Sequence, residues 1–417
     1  MNEHFSPALL ELAEQAERKA APQFAGIDAV ARACTARVLR AFSHHRVSDS
    51  YFAGTTGYGY DDTGRDKLEE IYAEVFGAES ALVRTQFVNG THAIACGMFA
   101  VVRSGETMLS ITGEVYDTLR TVVGLRGAIG GTFADYGIGY REVPLKDGTP
   151  DLPAIEREAA REDVAAVFIQ RSRGYGDRIT LSCDAIDALV RLVRSVNPRA
   201  AIIVDNCYGE FCEEREPTMV GADLICGSLI KNPGGGLAPM GGYVAGRRDL
   251  VERAAARLTV PGIGGECGAT NGVNRALYQG FFMAPHITAQ ALKTAVFCAA
   301  LLGEMGYDMS PRCDEPRYDI IQTARFGAPE PLLRFCRGIQ AGAPVDSFAT
   351  PEPWDMPGYD CPVVMAAGAF IQGSSIELSC DAPMREPYIA YMQGGLTYEA
   401  GRLGILMGAH FLKGDTL

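Results

Sequence analysis

The stretch AAIIVDNCYGEF (residues 200–211), followed by ADLICGSLIKNPGGG (222–236), decides how this chain is read. Each contains a short apolar run bounded by turn residues, the pattern of a strand buried on both faces. The first run ends on an acid, Asp205. The second ends on Ser228, with Lys231 and a glycine run close behind. A carboxylate at the end of a buried strand is costly unless a cation or several donors meet it. One loop and one strand separate the two ends, so both groups can face one crevice.

The same pattern repeats on either side. Apolar runs at 81–85, 107–112, 164–170, 201–205, 222–228 and 242–245 read as strands. Helical stretches near 91–102, 115–124, 152–161 and 184–196 separate the earlier ones. Such alternation predicts an α/β fold, a mostly parallel sheet covered by helices on both faces. Ligands of such sheets sit beyond the carboxyl ends of the strands. In GTTGYGYDDTGRDKLEEIYAEVFG (54–77), Leu68, Ile71, Tyr72, Val75 and Phe76 fall on one helical face after a loop-like start. Residues 1–50 read as an N-terminal helical arm with helices at 7–20 and 27–42, and residues 51–284 as the large domain. Residues 285–417 are richer in proline and turns and read as a smaller α+β domain, with helices near 271–282 and 287–305 leading into it.

The net charge of −13 repels phosphate backbones and anionic membranes, so nucleic acid and membrane surfaces are not expected partners. No uninterrupted apolar stretch reads as a membrane span. The twelve cysteines form no C-x-x-C pair, and no export signal is read at the start. They are expected to be reduced thiols in a cytoplasmic protein. No metal-ligand motif of fixed spacing appears, and no metal is expected. GYGYDDTG and GIGGECG lack the G-x-G-x-x-G spacing of a dinucleotide site, and no G-K-[ST] marks a P-loop.

An acid at one strand end and a lysine after the next are what pyridoxal 5′-phosphate (PLP) chemistry needs. Asp205 would keep the pyridine nitrogen protonated, and Lys231 would carry the cofactor as an imine. A cationic, partly desolvated pocket is expected to lower the lysine pKa. In QFVNGTHAIACGM (86–98), Asn89, Gly90 and Thr91 follow a strand and open a helix, a place where free N–H groups attract an anion such as the cofactor phosphate. Ser228 would add a hydroxyl, and Tyr116 is the best aromatic to stack on the ring. Alone, Lys231 reads as a surface lysine and Asn89-Gly90 as a turn; the combination in this order carries the reading.

YFAGTTGYGYDDTGRDKLE (51–69), FVNGTHAI (87–94), QRSRGY (170–175), VDNCYGEF (204–211), GSLIKNPGGG (227–236) and APMREPYIAYMQGGLTYE (382–399) resemble the aluminium resistance, or methionine γ-lyase-like, branch of fold type I PLP enzymes. The resemblance spans nearly the whole chain. It implies a PLP-dependent transferase-like large domain and a homo-oligomer with active sites shared between subunits. It also implies a phosphate held by a neighbour's tyrosine and arginine, here Tyr58 or Tyr60 with Arg65, although the Y-x-R spacing of the lyases is absent. A late arginine for the substrate carboxylate would be Arg385, with Arg173 as runner-up. The implied activity is carbon–sulfur bond cleavage in a sulfur-containing amino acid, with Lys231 as general base. The alternatives are transamination or other chemistry at Cα and, more remotely, aluminium sequestration by Glu210, Glu213, Glu214 and Glu216.

Overall fold

A computed structural model describes residues 5–127, 130–176, 178–356 and 359–414. The main sheet has seven strands: β1 (Ser80–Arg84), β2 (Thr107–Ser110), β3 (Gly139–Glu142), β4 (Val164–Gln170), β5 (Ala201–Asp205), β6 (Leu224–Ser228) and β7 (Gly242–Gly246). Their order is β1-β7-β6-β5-β4-β2-β3. The five strands from β3 to β6 run parallel, while β7 is antiparallel to both β6 and β1. The α/β expectation holds. β3 was not read from the sequence, because GYRE is half-buried along its length and offers neither an apolar run nor clean alternation.

The helices are α1 (Pro7–His44), α2 (Thr63–Val75), α3 (Gly90–Val101), α4 (Leu119–Val122), α5 (Leu152–Ala159), α6 (Cys183–Val196), α7 (Arg248–Leu258) and α8 (Asn274–Glu304). Adjacent residues of β5, Ile202 and Ile203, are both fully buried, so the sheet is covered on each face. On one face α3 and α7 share a core with Ile203, Leu224, Cys226 and Val244. Of the helix expected at 115–124, only the single turn α4 forms.

Two pairs of expected helices are single helices. α1 runs through Pro22 and α8 through Pro285. Proline deletes one helical hydrogen bond, but burial of an apolar stripe outweighs that local loss. Leu9, Ala13, Ala16 and Ala20 form such a stripe, all fully buried. By length and composition α8 could cross a membrane, which the sequence reading did not anticipate. Yet 78% of its most apolar window is buried inside the protein, as in a core helix.

The chain groups into two compact units, Thr35–Phe282 and a second that joins Met1–Cys34 to Met283–Leu417, so α1 and α8 each contribute to both. The second unit contains an antiparallel sheet of β8 (Asp308–Ser310), β9 (Gln322–Arg325), β10 (Val363–Ala366), β11 (Ser379–Pro383) and β12 (Ile389–Gln393), ordered β10-β11-β12-β9-β8. α9 (Pro329–Ala341) and α10 (Tyr398–Leu412) meet backbone to backbone, since a Cβ on Gly338 would lie 2.6 Å from the Gly408 Cα. Among the described residues the twelve cysteines form no disulfide, and only Cys267 and Cys361 are not buried.

Candidate active site

The parallel strands end side by side. Gln170 at the end of β4 pairs with Asp205 at the end of β5, which pairs in turn with Cys226 of β6. Asp205 is 6% exposed and accepts from the Cys207 N–H at 3.1 Å. Burial pushes its carboxyl pKa up, against the Lys231 charge and the Cys207 donor, which pull it down. The two groups therefore sense each other, as their places at neighbouring strand ends imply.

Lys231 lies three residues past β6, half-buried, with its Nζ 3.6 Å from the centroid of the Tyr208 ring. Here the sequence expectation needs correcting. Burial does push the lysine pKa down, but Cys207, Tyr208 and Asp205 around it, with a hydrogen bond to Tyr208, push it up by more. The groups that act on the lysine are acidic and aromatic, and they favour the ammonium. The segment after Lys231 is fixed sterically: a Cβ on Gly234 would fall 1.7 Å from the Leu229 carbonyl oxygen. Asn232 is fully buried and donates to the carbonyls of Tyr208 (3.0 Å) and Glu210 (2.9 Å). It ties the lysine turn to the turn after Asp205.

Tyr208 was not singled out in the sequence. Its backbone φ is 72°, a left-handed conformation that a tyrosine adopts at a cost of order 1–3 kcal/mol. No pattern in DNCYGEF announces that conformation; only the fold reveals it. The same turn carries Glu210, fully buried, which accepts from the Tyr243 hydroxyl at 2.8 Å while its Oε2 has no hydrogen-bond partner. Burial raises its pKa to about 8.

Arg171, just after β4, is fully buried and donates to Asn206 (2.8 Å) and Glu213 (2.7 Å), with Glu216 at 3.5 Å. Glu213 and Glu216 are thus engaged by one guanidinium, and Glu210 by Tyr243. Only Glu214 of the four glutamates is exposed, so they do not form the open oxygen-ligand set that aluminium sequestration would need.

At the start of α3, Asn89 caps the helix by accepting from the His92 N–H at 2.9 Å. The Thr91 hydroxyl lies 2.8 Å from that of Thr118. A Cβ on Gly90 would come within 3.0 Å of the Ser228 Cβ, so the helix start and Ser228 are brought together. Tyr116 is half-buried beside Gly174, with its ring 5.8 Å from that of Tyr175. Arg173 is buried on the same segment. Arg178, also missed in the sequence, donates to the carbonyls of Thr112 (2.7 Å) and Glu114 (2.9 Å) and lowers the Asp205 pKa.

The loop before α2 is held from beneath. Arg65 is buried and donates to Asp66 (2.8 Å) and to the carbonyls of Gly59 (2.7 Å) and Gly268 (3.1 Å). Arg84 reaches the carbonyls of Cys267 (2.7 Å) and Gly265 (2.8 Å) while paired with Glu69. Tyr58 and Tyr60 project from this clamped loop, 74% and 55% exposed, with ring centroids 5.6 Å apart. Arg385 belongs to the other compact unit and lies exposed between β11 and β12.

Comparison with known proteins gives the class first. The PLP-dependent protein YhfS from Escherichia coli superposes with a TM-score of 0.62 at 18% identity, covering 93% of this chain and 97% of that one. At that identity the likeness concerns the fold, which is fold type I of the PLP-dependent enzymes. A carbon–sulfur lyase involved in aluminium resistance from Clostridium novyi matches with a TM-score of 0.94 at 49% identity, over 97% of this chain and 96% of that one. The Bacillus subtilis protein YnbB is 50% identical over 364 residues, 87% of this chain and 86% of YnbB. The family model described as methionine gamma-lyase matches residues 9–412, and the chain belongs to that family.

Proposed function

We propose that this chain is a PLP-dependent carbon–sulfur lyase acting on a sulfur-containing amino acid, with Lys231 as cofactor anchor and general base. The observation that carries the reading is that Asp205 ends β5 and Lys231 follows the end of the adjacent parallel strand β6, near enough for each charge to shift the other's protonation. Family membership and the Clostridium novyi relative support the lyase class.

The residues fit the cofactor. A buried carboxylate at Asp205 suits a protonated ring nitrogen, which it would hold by charge. The close approach of Gly90 to Ser228 leaves free N–H groups and a hydroxyl for a phosphate, a cradle that a Cβ at position 90 would crowd. Asn89 and Thr91 frame it, and Tyr116 is our candidate for the ring face. When bound, the cofactor supplies an electron sink for a carbanion at the substrate Cα. Lys231 would take the Cα proton, and the Tyr208 ring, 3.6 Å from its Nζ, would hold the resulting ammonium in place. Arg385 or Arg173 would hold the substrate carboxylate. Tyr58, Tyr60 and Arg65 are proposed to act across a homo-oligomer interface; of the three, the exposed tyrosines have the better access. Twelve cysteines without a disulfide suit a reducing compartment, the cytoplasm.

The test begins with the visible spectrum of the purified protein, before and after borohydride, followed by mapping of the labelled peptide. A band lost on reduction with the label on Lys231 is expected, and Lys231→Ala should abolish both. A protein that gains no band with added PLP would overturn the proposal. Products then separate the chemistries. Pyruvate or 2-oxobutyrate with a thiol indicates elimination from Cβ or Cγ, whereas a new amino acid indicates transamination.

A further inference from the structure

We propose that His44, His45 and Glu74 bind a divalent transition-metal ion of the zinc class, at a site separate from Lys231. The site starts from how α1 ends. Arg46 adopts φ 53°, and Val47 N–H bonds back to the Phe42 carbonyl at 3.1 Å. The helix therefore stops with His44 in its last turn and His45 just past it, where the negative end of its dipole favours a cation. On α2, Glu70 and Glu74 are one turn apart and project from the same side. The ligand atoms of His44, His45 and Glu74 lie within 4.8 Å of one another, the only such group of His, Cys, Asp and Glu among the described residues.

His45 decides the reading. Its Nδ1 sits 3.0 Å from Glu70 Oε2, and Glu70 is itself paired with Lys67. A carboxylate against Nδ1 draws the ring proton there and leaves a lone pair on Nε2, as in histidines that ligate metals. That Nε2 is buried, makes no hydrogen bond, and lies 2.9 Å from Glu74 Oε2. A lone pair facing a carboxylate oxygen is repulsive unless a cation lies between them. His44 Nδ1 approaches the same oxygen at 2.6 Å. Zinc holds such ligands at roughly 2.0–2.2 Å, so the three groups need move apart only slightly to admit it. Two imidazoles with one carboxylate select zinc, cobalt or nickel over magnesium, calcium or aluminium, which prefer oxygen throughout. His44 is exposed, so a water could reach the ion as a fourth ligand.

The competing arrangement is a doubly protonated His45 that makes two ion pairs and leaves no room for a metal. Calorimetric titration of the full-length, chelator-stripped protein with Zn²⁺ separates the two. One Zn²⁺ per chain is expected, with stoichiometric binding lost in His45→Ala and in Glu74→Gln. Glu70→Gln, which removes only the group that orients the ring, should weaken binding by ~10–100-fold. Circular dichroism checks that each variant is folded, and Glu74→Gln preserves shape if His45→Ala does not fold. Co²⁺ in place of Zn²⁺ should give an absorption spectrum without thiolate charge-transfer bands, which excludes the cysteines as ligands. No stoichiometric uptake, uptake that survives Glu74→Gln, or a thiolate spectrum would each overturn the site.

Discussion

Glu210 carries an acid into an interior where its Oε2 has no partner, and burial holds its pKa at about 8 against an ordinary 4.5. Folding favours the protonated form, so the stability this residue allows is fully present below about pH 4.5. It declines as pH rises and is lost above about 8. Glu210→Gln is neutral at every pH and should flatten that limb. Melting curves from pH 5 to 9 would read this as a wild-type Tm that falls relative to the variant. Parallel curves would mean that Glu210 is already ionised at pH 5. Lys231 shows the same competition with the opposite outcome, since its acidic and aromatic neighbours outweigh its burial. Such balances are invisible in a sequence. Asp205 and Lys231 could be picked out because strand ends are legible, but Tyr208, Arg171 and Glu210 draw their significance from neighbours that only folding supplies.

At the level of elements, α3 matters because it brings Gly90 to Ser228. Its closeness to the sheet is set at Gly97, where a Cβ would lie 2.4 Å from Cys226 Sγ. Gly97→Ala should gain about 1 kcal/mol in helix propensity and lose about 1–3 kcal/mol to overpacking. We expect a net loss in chemical denaturation, recovered in the Gly97→Ala/Cys226→Ala double variant; a stabilised single variant would contradict the close packing. The elements were largely legible in advance. β4 and β5 fall where apolar runs put them, and the apolar face of α2 is buried as its spacing requires. The failures have physical causes. The gaps expected at 21–26 and 283–286 each hold a proline, Pro22 and Pro285, and local pattern ends there, whereas the burial that keeps α1 and α8 continuous is not local. β3 sits at the sheet edge, half-exposed, where little selects for an apolar pattern.

At the scale of the whole molecule, the two exposed tyrosines on a rigidly clamped loop suit a surface that meets another copy of the chain. Sedimentation should give a mass at least twice the 44.7 kDa of one chain. The Tyr58→Ala/Tyr60→Ala double variant should weaken cofactor retention while leaving the Lys231 anchor chemically intact. A monomer that retains full cofactor would remove the shared-site reading. The grouping of Met1–Cys34 with Met283–Leu417 has a further consequence, for synthesis on the ribosome. The apolar stripe of Leu9, Ala13, Ala16 and Ala20 shares its core with Leu301, Ile405 and Leu406. It emerges from the exit tunnel long before those partners have been translated. Until they arrive, the nascent chain displays a greasy ridge with nothing to cover it, which is a natural target for chaperones that bind growing polypeptides.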